Sequence, residues 1–213
     1  NSFVQFGWSA HFVDITDHKA VEAAITPKTK GIYCESFANP AGVVADIEAL
    51  AKIAHKHGIP LVVDNTMASP YLIRPIEWGA DIVVHSTTKF MTGNGSAMGG
   101  AIVDSGKFNW AQNDKFPMMV KPDPCYDGLE FFKTFGEMAF TMRAIAVGLR
   151  DLGACQSPTN AFLTINGLET LSLRVQRHCD NSLAVAKFLE AHPEVNWVSY
   201  AGLPSSPYHD VAK

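Results

Sequence analysis

The sequence predicts an α/β domain built on a mainly parallel sheet, and three observations carry that prediction. Short β-branched runs alternate with amphipathic segments, capping and breaking residues punctuate them, and several of the runs end in polar clusters. Taken in order, "HFVDI" at 11 to 15 reads as a strand, and Thr16 or Asp17 can cap a helix "HKAVEAAI". "KGIYCES" at 30 to 36 is the next strand, broken by the turn chemistry of Asn39 and Pro40. Asp46 then starts a helix in which Ile47, Leu50, Ala51 and Ala54 recur at helical spacing until Gly58. "IPLVVDN" is a buried strand, and a short helical link through "IRPIEWG" leads to the strand "ADIVVHS". Two successive βαβ crossovers therefore make the sheet parallel. "GGAIVDS" follows after about a dozen residues with no helical pattern, too short for a comfortable parallel crossover, so an antiparallel edge strand is expected. Residues 106 to 126 show no period, and helical patterning resumes from Tyr126. Ser157 and Pro158 form an N-cap and first-turn pair opening a long helix that runs past Asn181, with Gly167 as a bend, and "VNWVSYAG" at 195 to 202 reads as a strand.

Composition bounds the function. The 213 residues are 47% hydrophobic, enough apolar material for a substantial core. A net charge of -4 with mixed signs gives no electrostatic basis for nucleic acid or an anionic membrane as partner, which leaves small molecules or other proteins. Cys34, Cys125, Cys155 and Cys179 form no C-x-x-C pair, so the sequence predicts neither a zinc site nor a disulfide framework, but inert thiols in a reducing cytoplasm. No apolar run reaches the roughly 18 residues of a membrane span, and "NSFVQFGWSA" lacks the pattern of a signal peptide. The absence of an initial methionine and the unterminated end "SSPYHDVAK" lead to the expectation of a piece of a longer protein.

In an open parallel sheet, ligands gather beyond the carboxyl ends of the strands. Those ends carry Glu35 to Asn39, Asp64 to Thr66 and Ser86 to Lys89, and the three clusters are expected to converge. A carboxylate at the end of "LVVD" calls for a facing cation or hydrogen-bond donor, and a positive group is expected there. A lysine desolvated beside it would serve as a nucleophilic amine that forms a Schiff base. Hydroxyls at Ser86 and Thr88 suit a phosphate. Together they point to pyridoxal phosphate, whose protein partners are a Schiff-base lysine and an acid at the pyridinium nitrogen.

Other residues have plainer readings. His55 and His57 fall at a helix end, where a dipole interaction outweighs metal ligation, and no metal site is expected. Strand alternation turns His85 to the face opposite Ser86, as packing or support. Trp8, Trp78, Trp110 and Trp197 are expected in core or interface packing. Gly93-x-Gly95 followed by Gly99 imitates a dinucleotide fingerprint, but it follows Lys89 and feeds a strand rather than opening a helix.

The string "VVDNTMASPYLIRPIEWGADIVVHSTTKF" resembles the cofactor-binding core of the pyridoxal-phosphate enzymes of cysteine and methionine metabolism. The later string "GLEFFKTFGEMAFTMRAIAVGLRDLGACQSPTNAFLTINGLETLSLRVQRHCDN" is similar to the O-acetylhomoserine sulfhydrylase branch, as is the extended segment from Lys107 to Met138. The resemblance covers essentially the whole chain and implies an aspartate-aminotransferase-like (fold type I) large domain. It assigns residues 1–185 to a partial cofactor-binding domain and 186–213 to the start of a C-terminal domain. By the same resemblance Lys89 holds the cofactor and then moves protons, while Asp64 pairs with the pyridinium nitrogen. Ser86 and Thr88 bind the phosphate, Asn39 donates to the ring's phenolic oxygen, Thr66 touches a ring face, and Glu35 orients these groups. A ring-stacking tyrosine, a Gly-rich phosphate turn, a partner-subunit arm and a carboxylate-binding arginine are expected outside these residues. The implied reaction is γ-replacement on O-acetylhomoserine by sulfide or a small thiol, in a cytoplasmic homotetramer. γ-Elimination or cystathionine synthesis on the same core is the alternative, and a cofactor-free scaffolding fragment is the alternative of a different class.

Overall fold

The computed structural model describes residues 2–213. A four-stranded sheet in the order β1-β2-β3-β4 organises it, with β1 at Ile32–Glu35, β2 at Leu61–Asp64, β3 at Ile82–Ser86 and β4 at Gly100–Asp104. β1, β2 and β3 run parallel, and β4 turns back antiparallel on β3, as the short connection predicts.

Helix α1 (His18–Ala23) precedes β1 and is capped by Asp17, whose carboxylate accepts the Ala20 N–H. Helix α2 (Ile47–Lys56) crosses from β1 to β2 and is capped in the same way by Asp46, which accepts the Ala49 N–H. Its Ile47, Leu50, Ala51 and Ala54 are buried with Cys34, Leu61, Val63 and Val83 in one core. Leu50 is fully buried, a contribution of about 1.5–3 kcal/mol for its side chain. The link from β2 to β3 is the short α3 (Ser69–Leu72) and a 3-10 turn at Pro75–Trp78.

After β4, the segment without sequence period folds around aromatic rings. Phe108, Trp110 and Phe116 meet edge to face, and Trp110 stacks on Phe140 at 5.6 Å. Short helices α4 (Pro117–Val120), α5 (Phe131–Phe135) and α6 (Ala139–Arg143) surround them, and α6 continues into a π-helical turn at Ala144–Asp151. The long helix expected from Ser157 is two helices, α7 (Pro158–Glu169) and α8 (Leu171–Glu190), divided at Thr170. Ser157 caps α7 by accepting the Asn160 N–H, with Pro158 in the first turn. α8 runs unbroken past residue 185.

Two expected strands do not form. Residues 11 to 15 and 195 to 202 are irregular, because a β-branched run becomes a strand only against a partner, and among the described residues neither has one. Phe12 and Trp197 in these segments are largely exposed, as are Trp8 and Trp78, so of the four tryptophans only Trp110 lies in the core. His55 and His57 pair with carboxylates, His55 Nε2 at 2.9 Å from Asp81 and His57 Nε2 at 2.9 Å from Glu22. Cys34 is buried, and burial, with Glu35's charge second, pushes its thiol up to about 12, so it is protonated and inert at neutral pH. Cys125 and Cys155, by contrast, are exposed. Among the described residues no helix is long and apolar enough to cross a membrane, and no three His, Cys, Asp or Glu side chains are grouped to hold a metal.

Candidate active site

Register decides which side chains share a face. Cys34, Val63 and Val83 are aligned across the three parallel strands and enter the core. The next aligned row, Glu35, Asp64 and Val84, therefore points to the opposite face, and Ser86 follows on that face two residues further along β3. His85 falls on the core side, as alternation predicts. Burial holds its imidazole below the usual histidine range, against smaller opposite effects of the Asp64 charge and an Asn65 backbone bond. Its Nδ1 has no hydrogen-bond partner among the described residues.

At the carboxyl ends of the strands this face opens into a cleft of about 580 Å³. Glu35, Asn39, Asp64, Thr66, Ser86, Thr88 and Lys89 all line it. The convergence expected from three separate strand ends is thus present, and a buried tie secures two of them. Asn65 Oδ1 accepts the Ser36 hydroxyl at 2.7 Å, and Asn65 Nδ2 donates to the Ser69 and Ile73 carbonyls, joining the ends of β1 and β2 to the loop beyond.

Each polar group is held in a definite way. Asp64 Oδ1 accepts the Thr66 N–H and Oδ2 accepts the Tyr33 hydroxyl, both at 3.0 Å. The donors facing this carboxylate are therefore neutral, rather than the cation a deeply buried acid would need, which agrees with its half-buried position. Thr66 Oγ1 accepts the Ser86 N–H at 2.7 Å, locking the end of β3 to β2. Glu35 accepts the Asn39 N–H at 2.9 Å and fixes the turn that carries the Asn39 side chain. The Thr88 hydroxyl is engaged with Gly99, accepting its N–H at 3.0 Å and donating to its carbonyl at 3.3 Å. Among the described residues, neither the Ser86 hydroxyl nor Lys89 Nζ makes a side-chain hydrogen bond or ion pair. Lys89 is exposed in this chain, not enclosed by strands as desolvation would require.

The backbone around Lys89 is constrained even though its side chain is free. The Lys89 N–H donates to the Ser86 carbonyl, and the Gly93 N–H donates to the Lys89 carbonyl, closing a tight turn in which Gly93 has φ +83°. Gly167 of α7 lies flat against this turn, where a Cβ would run into the Met91 and Thr92 carbonyl oxygens. Close approach, rather than a bend, is the role of that glycine. Gly167→Ala in the full-length protein is expected to cost roughly 1–3 kcal/mol through overpacking against backbone. A thermal melt that matched the unsubstituted protein would contradict this packing.

The residues beyond Gly93 turn and feed β4 without opening a helix, so the dinucleotide resemblance has no structural counterpart. Arg174 and His178 of α8 also line the cleft, with His178 edge-on to Phe90 at 5.6 Å. Sequence reasoning missed both. Their spacing with Leu171 and Val175, three and four residues apart, places them on one helical face and was the available signal. Tyr33 was missed as well, although it alternates with Glu35 and so shares its face.

A free amine, an acid with neutral donors, a free hydroxyl and an amide around one cleft fit pyridoxal phosphate. Comparison with known proteins decides the family, since the model of the Cys/Met metabolism PLP-dependent enzymes matches residues 1–213. The chain belongs to that family. Among its family relatives, the O-acetyl-L-homoserine sulfhydrylase of Leptospira meyeri is 46% identical over 100% of this chain and 50% of its own length. Homocysteine synthase of Schizosaccharomyces pombe is 48% identical over 98% of this chain and 49% of its own. The crystal structure of an O-acetylhomoserine (thiol)-lyase from Campylobacter jejuni, which contains a pyridoxyl-lysine, superposes with TM-score 0.95 at 40% identity, covering 99% of this chain and 52% of that one. The O-acetylhomoserine sulfhydrylase of Wolinella succinogenes gives 0.85 at 39%, covering 99% and 56%. The chain thus spans about half the length of the family members it matches.

Proposed function

We propose that the full-length protein catalyses γ-replacement, in which O-acetylhomoserine and sulfide, or methanethiol, give homocysteine, or methionine, and acetate. The observation that carries this reading is the gathering of Lys89, Asp64, Ser86, Thr88, Asn39, Thr66 and Glu35 around one cleft. The sulfhydrylase activity named for the relatives supports the choice of reaction.

Bound pyridoxal phosphate supplies an electron sink for the carbanion at the substrate α-carbon. Lys89 Nζ, which has no competing partner among the described residues, would hold the cofactor covalently and would take the α-proton. Asp64, whose oxygens accept from Tyr33 and Thr66, would hold a proton on the ring nitrogen. Ser86 Oγ and nearby backbone N–H groups would donate to the phosphate. Thr88 joins them by turning its hydroxyl away from the Gly99 carbonyl, the longer of its two bonds. Asn39, on the turn held by Glu35, donates to the ring oxygen, and Thr66 meets the ring face.

The reading places the protein in the cytoplasm as a homotetramer. Exposed Phe162, Ile165, Leu173 and Phe188 on α7 and α8 support cover from further chain or from a neighbouring subunit. The 213 residues alone are expected not to turn over efficiently, because the chain spans about half the length of its relatives and the family resemblance implies a substrate-carboxylate arginine and a ring-stacking tyrosine outside it. The test is an assay of the full-length protein with O-acetylhomoserine and sulfide. Homocysteine and acetate in equal amounts support γ-replacement. Release of 2-oxobutanoate, or synthesis of cystathionine when cysteine replaces sulfide, supports the alternative chemistry on the same core. No cofactor-dependent turnover at all supports the scaffolding reading.

A further inference from the structure

Tyr33 is a large aromatic residue that is 62% exposed, so apolar burial explains little of its presence on β1. Its hydroxyl is the part with a definite partner. Register aligns Tyr33 with Val62 and Glu35 with Asp64, so Tyr33 reaches diagonally across one strand step to Asp64 Oδ2 at 3.0 Å. With the Thr66 N–H on Oδ1, both oxygens of the acid are held and the carboxylate plane is fixed. One lone pair on each oxygen remains for a third donor in the cleft.

The choice of donor matters. Partial burial first, and then the Asp64 charge, push the Tyr33 phenol up to about 12, so it donates as a neutral group throughout the neutral range. Of the titratable neighbours, Glu35 is an acid in the adjoining register position and burial holds His85 below the usual histidine range, while Lys89 and Arg174 share the cleft but form no ion pair with Asp64 among the described residues. An arginine or lysine in place of Tyr33 would satisfy Asp64 but also neutralise it.

We propose that Tyr33 is a positioning residue for Asp64, a neutral donor that orients the carboxylate toward the cleft and leaves its negative charge available to a protonated ring nitrogen. The inference rests on the reading of Asp64 as the acid facing that nitrogen.

The test is a double-substitution cycle in the full-length protein, made cofactor-free and titrated with pyridoxal phosphate. Tyr33→Phe is expected to weaken cofactor binding about 3- to 10-fold, the range for one lost hydrogen bond. In an Asp64→Asn background the same change is expected to have little further effect, because the acid it serves is gone. With cofactor bound, the visible absorbance band is expected to shift in Tyr33→Phe, and not when the same change is made in the Asp64→Asn background. An equal loss of affinity in both backgrounds, or no loss in either, overturns the proposal, as does an unmoved absorbance band in Tyr33→Phe. Unchanged affinity on Asp64→Asn alone would instead overturn the reading of Asp64.

Discussion

Lys89→Ala in the full-length protein is expected to abolish covalent cofactor attachment and to lower turnover by at least about 10²–10⁴-fold, the range for losing one positioned acid-base group. Loss of the covalent anchor adds to that. The fold is expected to survive. Lys89 is exposed, and truncating such a side chain changes stability by roughly 0.5 kcal/mol or less. The turn around it depends on backbone bonds from Ser86 to Gly93 and on the contact with Gly167, none of which involves the lysine side chain. A variant that melts with the unsubstituted protein and has lost its visible absorbance band and its turnover is the expected result. Retained turnover at the original rate would remove Lys89 from the mechanism.

Asp64→Asn is expected to have the second-largest effect. A hydrogen bond to a charged group contributes about 1.5–3 kcal/mol, so cofactor retention is expected to fall roughly 10- to 10²-fold. Removal of the α-proton is expected to slow as well, because a ring nitrogen without its facing anion keeps its proton less well and is a poorer electron sink. Asparagine keeps the size of the side chain. Its amide presents only one oxygen to the two donors, Tyr33 Oη and the Thr66 N–H, so one loses its acceptor. Equilibrium dialysis of the cofactor and a solvent-exchange measurement of α-proton loss check both parts. Normal values in both would show that another group serves the ring nitrogen.

Much of this site was legible from residue order because its signals are local. Asp17, Asp46 and Ser157 each sit where a capped helix begins, and each does cap one. The runs around Cys34, Val63 and Val83 are β-branched or buried on the core side, and they form the three parallel strands. Parallel strands must end at the same edge, so Glu35, Asp64 and Ser86 came together as a consequence of topology.

What was not legible depends on partners distant in sequence. The runs at 11 to 15 and 195 to 202 have strand composition but no neighbour among the described residues to complete a ladder. Glycine 167 is needed because the Met91 and Thr92 backbone packs against it from more than seventy residues earlier, a contact that helical periodicity does not encode. Arg174 and His178 enter the cleft only because α8 crosses it. The exposure of Lys89 and the neutral donors on Asp64 were missed for a related reason. A strand-end motif fixes where a side chain starts, while its enclosure and its facing partner depend on what the rest of the fold places there.

The proposed reaction requires that the cleft at the end of β3 hold pyridoxal phosphate on Lys89. The most direct measurement is borohydride reduction of the purified full-length protein, followed by proteolysis and mass mapping of the peptides. The expected result is loss of the visible absorbance band together with a phosphopyridoxyl mass on the peptide that contains "HSTTKF", located at Lys89. A phosphopyridoxyl group on any other lysine, or none on protein that turns over, would contradict the account.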